Sequence, residues 1–315
     1  MTKRETRLAY ERGGVSGEVS DYAMSVEGLS PHSVRDWGVA MSAGLPTVAK
    51  LQINNSWECS TTPYLPIYKT LIGDMNRLIE FGIDHLMLSW TLGGYPSPNI
   101  KLISESFFAE NGKAPDYDMS YKILYGDSAK KVKAATDIFC AAFGEFPFDI
   151  RTLYYGPQNA GVSNTLYSQP TGYKATMTCY AYDDLEKWRS IYPVDIFEKQ
   201  FKLVSEKWEE GLALLKEEEG ELSDIAYISY MLFKSSYNQI RFIRLRDAYL
   251  ENGSEALRAQ LRAIVEDERE LAAKTYEIMC LRPAVGFEAA NHYYFNRQML
   301  LEKLVNCDWL LELYK

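Results

Sequence analysis

The stretch TVAKLQINNSWE, residues 47–58, decides the fold class. It begins as a short apolar run of the kind that forms a buried strand, and it ends in amides, an indole and a carboxylate. Comparable apolar runs lie on either side, and helical patterns separate them. The predicted strands are 23–26, 47–54 and 85–90, with helices at 33–43 and 67–81 between them. This alternation is typical of parallel sheet built from βαβ units, so the N-terminal part is predicted to be α/β.

Two junctions between a predicted helix and the next strand look alike. Gly44-Leu45 and Gly82-Ile83 each place a glycine and then an apolar residue just after a helical run. A glycine followed by an apolar residue is a common helix C-cap. The two junctions therefore predict a repeated helix-to-strand unit.

From residue 127 onward the apolar residues recur with the helical period of 3.6. Long amphipathic helices are predicted at 195–219, 222–252, 254–281 and 297–314. The intervening stretch, 145–182, is rich in Gly, Pro, Asn and Tyr and is predicted to be an irregular but packed connection. The chain is thus predicted to consist of an α/β segment, residues 1–125, and an α-helical bundle domain, residues 126–315.

Net charge and composition limit the classes of partner that the protein is expected to bind and the cellular compartment in which it is expected to occur. The formal charge of −9 argues against nucleic acid, because binding to phosphate backbones requires clustered Lys and Arg. The five cysteines are far apart and form no CxxC motif, so neither a disulfide framework nor a zinc site is predicted. The sequence contains no run of about 18 apolar residues, so no membrane span is predicted. A cytoplasmic protein is expected.

The first candidate site is the polar end of the 47–58 stretch. Ligand sites in parallel α/β folds lie at the carboxyl ends of the strands, where these side chains are placed. Amides and carboxylates bind sugar hydroxyls, and an aromatic face covers the apolar face of a pyranose. The candidate ligands of a sugar are Gln52, Asn54, Asn55, Trp57 and Glu58. The alternative is that Trp57 belongs to the core and Glu58 caps a turn.

Two further clusters are candidates. At 89–99, SWTLGGYPSPN allows a tight loop after the third strand, with Trp90 and Tyr95 as aromatic platforms; the alternative is a strand-to-helix turn with buried rings. At 286–295, GFEAANHYYF interrupts the helical region and contains Asn291 and His292. A general acid/base role is conceivable for His292, although a structural histidine is the more common case. Glu27 closes the first predicted strand.

The segments VAKLQINNSWE, PYLP, LMLSWTLGGYPSPN, GFEAANHYYF and EKLVNC together resemble a group of bacterial glycoside-hydrolase-like proteins. The resemblance covers nearly the whole chain in order. In this group a (β/α) barrel precedes a helical C-terminal domain, broadly as in the hexosaminidase and α-glucuronidase superfamilies. It implies a partial TIM-barrel-like segment, because a full barrel has eight strands over about 250 residues. The chain is therefore expected to be the C-terminal part of such a protein.

These observations lead to two functional hypotheses. In the first, the protein is a glycoside-hydrolase-like carbohydrate-active protein, in which Glu58 and Glu27 are the catalytic carboxylates. The amides of the first cluster and the clusters around Tyr95 and His292 then hold the sugar, and no metal or cofactor is needed. Loss of one carboxylate would leave an inactive form that still binds sugar. In the second hypothesis the protein is a non-catalytic carbohydrate-binding or protein-interaction module whose helical bundle docks a partner chain. A protein partner or a second copy would then also complete its open sheet edges.

Overall fold

The computed structural model describes residues 8–19, 23–88, 95–107, 116–177, 180–288 and 292–315. Its strands are β1 (Leu8–Arg12), β2 (Val15–Val19), β3 (Val48–Leu51), β4 (His85–Leu88), β5 (Phe287–Glu288) and β6 (His292–Tyr293). Its shorter helices are α1 (Pro31–Ser42), α2 (Tyr68–Phe81), α3 (Pro98–Phe107), α4 (Tyr117–Tyr125), α5 (Ala129–Phe143), α6 (Ile150–Tyr155) and α7 (Leu185–Trp188). The C-terminal helices are α8 (Val194–Leu214), α9 (Glu221–Asn252), α10 (Glu255–Leu281) and α11 (Arg297–Leu313).

An antiparallel hairpin of β1 and β2 comes first in the described chain. Gly13 and Gly14 form its two-residue turn with φ values of 57° and 80°, which glycine adopts without strain. The register pairs Leu8 with Val19 and Arg12 with Val15. The hairpin was not among the predicted elements, because its strands, LAYER and VSGEV, lack a continuous apolar run.

Residues 23–26 do not form the predicted first strand. Met24 and Val26 are buried, as an apolar run should be, but the backbone is irregular. The N–H groups of Met24 and Ser25 donate to Glu58 Oε1 at 2.9 and 3.0 Å. A side chain thus satisfies donors that a strand would direct to a neighbouring strand.

The other two predicted strands are confirmed as a parallel pair over Val48–Leu51 and His85–Leu88, with Val48 opposite His85; residues 52–54 belong to the loop that follows. The helices before them, α1 and α2, both end in a left-handed glycine, with φ 68° at Gly44 and 90° at Gly82. In each case the following N–H reaches back across the last turn, from Leu45 to Ala40 O and from Ile83 to Leu78 O. This is the C-cap geometry that the sequence predicted, repeated in two successive helix-to-strand units.

A link between the two units fixes their relative register. Asp84 Oδ2 accepts hydrogen bonds from the backbone N–H of Thr47 at 2.8 Å and from its hydroxyl at 3.1 Å. Thr47 Oγ1 in turn accepts from the Asp84 N–H at 3.2 Å. The two loops that lead into β3 and β4 are therefore tied together.

The four predicted C-terminal helices are confirmed as α8, α9, α10 and α11. Along the chain α5 packs on α8, α8 on α9, α9 on α10 and α10 on α11. The stretch 145–182 contains α6 and short 3₁₀ turns and is otherwise irregular where it is described. Asn164 anchors it to the bundle, since its Nδ2 donates to Gln239 Oε1 at 2.7 Å.

The fold is mixed α/β with a predominantly helical C-terminal region. In the described parts of the chain each sheet has two strands and none closes into a barrel. The largest apolar cluster joins both regions, since it contains Tyr68 and Met75 of α2 together with Phe201 and Trp208 of α8. The helices described here include none that is both long and apolar enough to cross a membrane.

Candidate functional site

The loop that follows β3, residues 52–67 (the β3 loop), is polar in sequence yet buried over most of its length. It folds back on itself, because the Leu65 N–H donates to Asn54 O at 2.8 Å. Asn99 clamps both limbs, as its Nδ2 donates to Ile53 O at 2.6 Å and to Leu65 O at 2.9 Å. Sequence reasoning missed Asn99, which lies at the end of the second cluster.

The amides of the β3 loop are engaged with the protein itself. Asn54 is fully buried; its Nδ2 donates to Tyr95 O at 3.1 Å, and its Oδ1 accepts from the Ser97 hydroxyl. Asn55 Nδ2 donates to Ser60 O at 2.9 Å. The structure therefore brings the first and second predicted clusters together through Asn54 and Tyr95. These contacts hold the two loops in place.

Trp57 and Gln52 meet at the start of the same loop. The Trp57 N–H donates to Gln52 Oε1 at 3.4 Å. The Trp57 indole contacts the Tyr154 ring edge to face, with centroids 5.3 Å apart. Asn159, from the irregular connection, fixes the loop by donating to Trp57 O at 3.2 Å and accepting from the Ser60 N–H at 2.8 Å.

Glu58 is completely buried and contacts residues 24–25. Besides the two backbone donors, the Ser25 hydroxyl donates to Glu58 Oε1 at 3.0 Å. Glu58 Oε2 has no hydrogen-bond partner within the described structure. Burial raises the pKa of Glu58, and the hydrogen bonds from Ser25 and Ser56 oppose that rise. Arg12 approaches from the other side, donating to Ser25 O at 2.6 Å.

Glu27 lies at the surface and is held by α2. Its Oε1 accepts from the Thr70 hydroxyl at 3.1 Å, and its Oε2 pairs with Arg77 at 3.0 Å. The same Arg77 pairs with Asp74 at 2.5 Å. The two predicted carboxylates thus have different surroundings, since Glu58 is enclosed and Glu27 is half exposed.

A cavity of about 270 Å³ (the β3 pocket) lies alongside β3, from Ala49 to Gln52, the residue that follows the carboxyl end of the strand. Its wall combines apolar side chains with a few polar groups. The polar and aromatic lining residues are Ser30, Ser33, Trp37, Lys50, Gln52 and Asp74. Met24, whose N–H is held by Glu58, is also part of the wall, whereas Glu58 and Glu27 are not. Of the predicted sugar ligands, Gln52 lines this cavity.

Asp74 is the titratable group that the sequence did not single out. Burial raises its pKa to about 6, although Arg77 and the Gly28 N–H favour the charged form. Asp74 is partly buried, with its side chain 19% exposed, and a carboxyl with a raised pKa in the wall of a cavity marks a functional-site candidate. In sequence Asp74 is one polar residue of an amphipathic helix, and only the packing of α2 against the 24–30 segment buries it.

Trp90 and Asn291 lie outside the described residues, and for His292 the description is limited to the backbone, in strand β6. The third cluster nevertheless reaches the β3 loop, because the Gly286 N–H donates to Thr61 O at 2.8 Å. The β5–β6 hairpin that follows pairs Glu288 with His292. The predicted clusters thus converge on the β3 loop wherever they are described.

The described residues contain no group of three or more His, Cys, Asp and Glu side chains placed to hold a metal ion. The four cysteines described, Cys59, Cys140, Cys280 and Cys307, are free thiols. Comparison of the chain with protein-family models, with curated proteins and with solved structures found no match.

Proposed function

We propose that the protein binds a small carbohydrate in the β3 pocket. The observation that carries the proposal is the placement of Gln52 and Asp74 in the wall of one cavity that lies along a parallel strand and reaches its carboxyl end. That end is where ligands bind in α/β folds. An amide and a carboxyl supply donors and acceptors for sugar hydroxyls, while the Ser30 and Ser33 hydroxyls are bonded to each other at 3.1 Å at the start of α1. The volume of about 270 Å³ suits a monosaccharide.

Trp37 supports the choice of a sugar over a purely polar ligand. Its Nε1 donates to Val48 O at 3.2 Å, and its ring packs on Phe81 at a centroid distance of 5.9 Å. The indole is therefore fixed at the wall of the pocket. A fixed aromatic surface is suited to the apolar face of a pyranose.

In this proposal Glu58 positions the binding site and does not touch the sugar. It holds Met24 and Ser25, and Met24 lines the pocket. Glycoside hydrolysis usually requires two carboxyl groups facing the scissile bond. Asp74 is the one carboxyl among the described residues of the pocket wall, so we infer binding with little or no hydrolysis.

The wider assignment follows from the resemblance. We infer that residues 1–125 form a partial (β/α)-barrel segment of the glycoside-hydrolase-like kind, supported by the two successive helix-to-strand units that end in β3 and β4. The free thiols of the described cysteines favour a reducing compartment, and we place the protein in the cytoplasm.

Isothermal titration with glucose, galactose, N-acetylglucosamine and glucuronic acid tests the proposal. At least one sugar should bind. Asp74→Asn and Gln52→Ala should each weaken the binding of that sugar by roughly tenfold, because each variant loses one or two hydrogen bonds to it. Glu277→Gln, at an exposed position of α10, is the matched control and should bind normally. Absence of binding for every sugar would overturn the proposal. Turnover of nitrophenyl glycosides that disappears in Glu58→Gln would instead establish a glycosidase with Glu58 as catalytic carboxylate.

A second candidate is a module that pairs with a second copy of itself. In the described chain β3 and β4 pair with each other alone, so each strand leaves an outer edge without a strand neighbour. Open edges favour association with another strand. Light scattering would show a stable dimer with no response to sugars if this candidate holds.

A further inference from the structure

A second cavity, of about 440 Å³, lies between the β4–α3 connection and the start of α9 (the tyrosine pocket). It is separate from the β3 pocket and shares no lining residue with it. Prolines, tyrosines and charged side chains form its wall. The wall includes Tyr64, Pro98, Lys101, Tyr125, Glu219 and Glu221.

The tyrosine rings at this pocket are held in place by their neighbours. Tyr64 packs on Tyr95 with centroids 6.2 Å apart. Tyr125 stacks on Tyr68 at a centroid distance of 6.5 Å and an interplanar angle of 18°. The hydroxyls of Tyr68 and Tyr125 are hydrogen-bonded at 2.6 Å. The rings are thus fixed before any ligand arrives, which lowers the entropy lost on binding.

The Glu221 carboxylate lies near three of these tyrosines and is hydrogen-bonded to Tyr95. Burial raises the pKa of Tyr64, Tyr95 and Tyr125, and the negative charge of Glu221 adds to each shift. The phenols are therefore neutral at physiological pH. The partly buried Tyr125 ring offers a negative π face to a cation, whereas Tyr64 is 1% exposed and belongs to the packed base of the wall.

The charge balance of the wall is negative. Three glutamates line the tyrosine pocket, and Lys101 is its one lining cation. Glu218 is occupied by Ser128 and Lys131, which donate at 2.7 and 3.0 Å. The positive end of the α9 dipole lies here too, but Glu221 and Asp224 in the first turn offset it. Glu219 and Glu221 leave an acidic, aromatic-lined cavity.

We propose that the tyrosine pocket binds an organic cation, an ammonium group carrying apolar substituents, between the Tyr125 ring and the Glu221 carboxylate. A quaternary or alkylated ammonium gains from both the Tyr125 ring face and the carboxylate, and its apolar groups fit the proline-lined wall. A sugar would gain little from the acidic charge. This inference is independent of sugar binding in the β3 pocket.

Choline and its neutral isostere 3,3-dimethylbutan-1-ol test the inference by isothermal titration against the full chain. They have the same shape and differ in charge. Choline should bind at millimolar concentration or below, and the alcohol should bind at least roughly tenfold more weakly, because it lacks the cation–π and carboxylate contacts. Equal binding of the two, or no binding of choline, would overturn the inference.

Variants then assign the contacts. Glu221→Gln should weaken the binding of choline by roughly tenfold. Glu217→Gln, at an exposed position outside the pocket wall, should leave the affinity for choline unchanged. Tyr125→Phe keeps the ring and should retain binding, and Tyr125→Leu should lose it. Circular dichroism spectra must match the wild type for the comparison to count. Equal losses in Glu221→Gln and Glu217→Gln would show a general charge effect and no site.

Discussion

Glu58 Oε1 accepts hydrogen bonds from both the backbone N–H and the hydroxyl of Ser25, each at 3.0 Å. The two residues are 33 positions apart in the chain. Ser25 is bound from its other side by Arg12, whose guanidinium donates to Ser25 O at 2.6 Å. A buried carboxylate and a half-buried guanidinium therefore fix one residue next to the wall of the β3 pocket.

Replacement of Glu58 tests whether it holds this wall. Glu58→Ala leaves the N–H groups of Met24 and Ser25 buried without an acceptor, and we expect a loss of about 2–4 kcal/mol in the free energy of unfolding. Glu58→Gln keeps an acceptor oxygen and should lose less than about 1.5 kcal/mol. Urea unfolding measures both. Equal losses would mean that the charge of Glu58, and not its acceptor oxygen, holds the segment.

Asp74 should make stability fall as the pH rises. Its pKa is about 6 in the folded protein and near 3.8 in the unfolded chain, so between these values the folded state binds more protons. Stability is present in full below about pH 4 and is lost as the pH passes through 6; this contribution is about 2–3 kcal/mol. Unfolding free energies from urea titrations across this range measure it.

Asp74→Asn is the control for that effect. An amide does not titrate, so the variant should become more stable relative to the wild type as the pH rises from about 4 to 7. Parallel pH profiles for the two proteins would contradict the raised pKa of Asp74.

Local signals in the sequence predicted much of the fold. Gly44 and Gly82 specify helix ends through their own backbone conformations, and the long helices carry an uninterrupted period. The irregular 23–26 segment was missed because it depends on Glu58, far away in the chain, and the β1–β2 hairpin was missed because its strands lack a continuous apolar run and pack on distant residues. Tyr10, for example, lies across Gly17 and donates to Phe148 O at 2.6 Å.

The candidate site was predicted in part. Of the side chains predicted from the polar ending of β3, Gln52 lies in the wall of the β3 pocket, which is itself a proposed site. The roles of the other side chains depend on burial, which residue type alone does not determine. Asn54 and Glu58 are among the most buried residues of the chain, while Asp74 is brought into the pocket wall by the packing of α2.

Gly211 and Gly38 should respond in opposite ways to replacement by alanine. A Cβ on Gly211 of α8 would lie 2.5 Å from the Phe139 ring and 3.0 Å from Ala135 O, where α5 packs closely. We expect Gly211→Ala to lose about 1–3 kcal/mol of stability. Gly38, inside α1, has open space at this position, so Gly38→Ala should gain about 0.5–1 kcal/mol. Thermal unfolding distinguishes the two, and a loss for both would contradict the packing at α1.

The ion pair of Lys303 and Glu268 should be strongly coupled. Both side chains are fully buried and lie 2.9 Å apart, and Lys303 also donates to Asn164 O at 2.8 Å. Lys303→Met leaves the buried Glu268 carboxylate without its cation, and we expect a loss of about 3–5 kcal/mol in the free energy of unfolding.

A double variant adds Glu268→Gln to Lys303→Met. The glutamine removes the buried negative charge and keeps acceptor and donor atoms beside Ser235 and Asn238, which donate to Glu268 at 3.0 Å. The double variant should therefore be more stable than Lys303→Met alone, so that a double-mutant cycle by urea unfolding gives a coupling energy of at least about 1 kcal/mol. Additive losses would show that the two charges do not stabilise each other, and that Lys303 acts through its bond to the irregular connection.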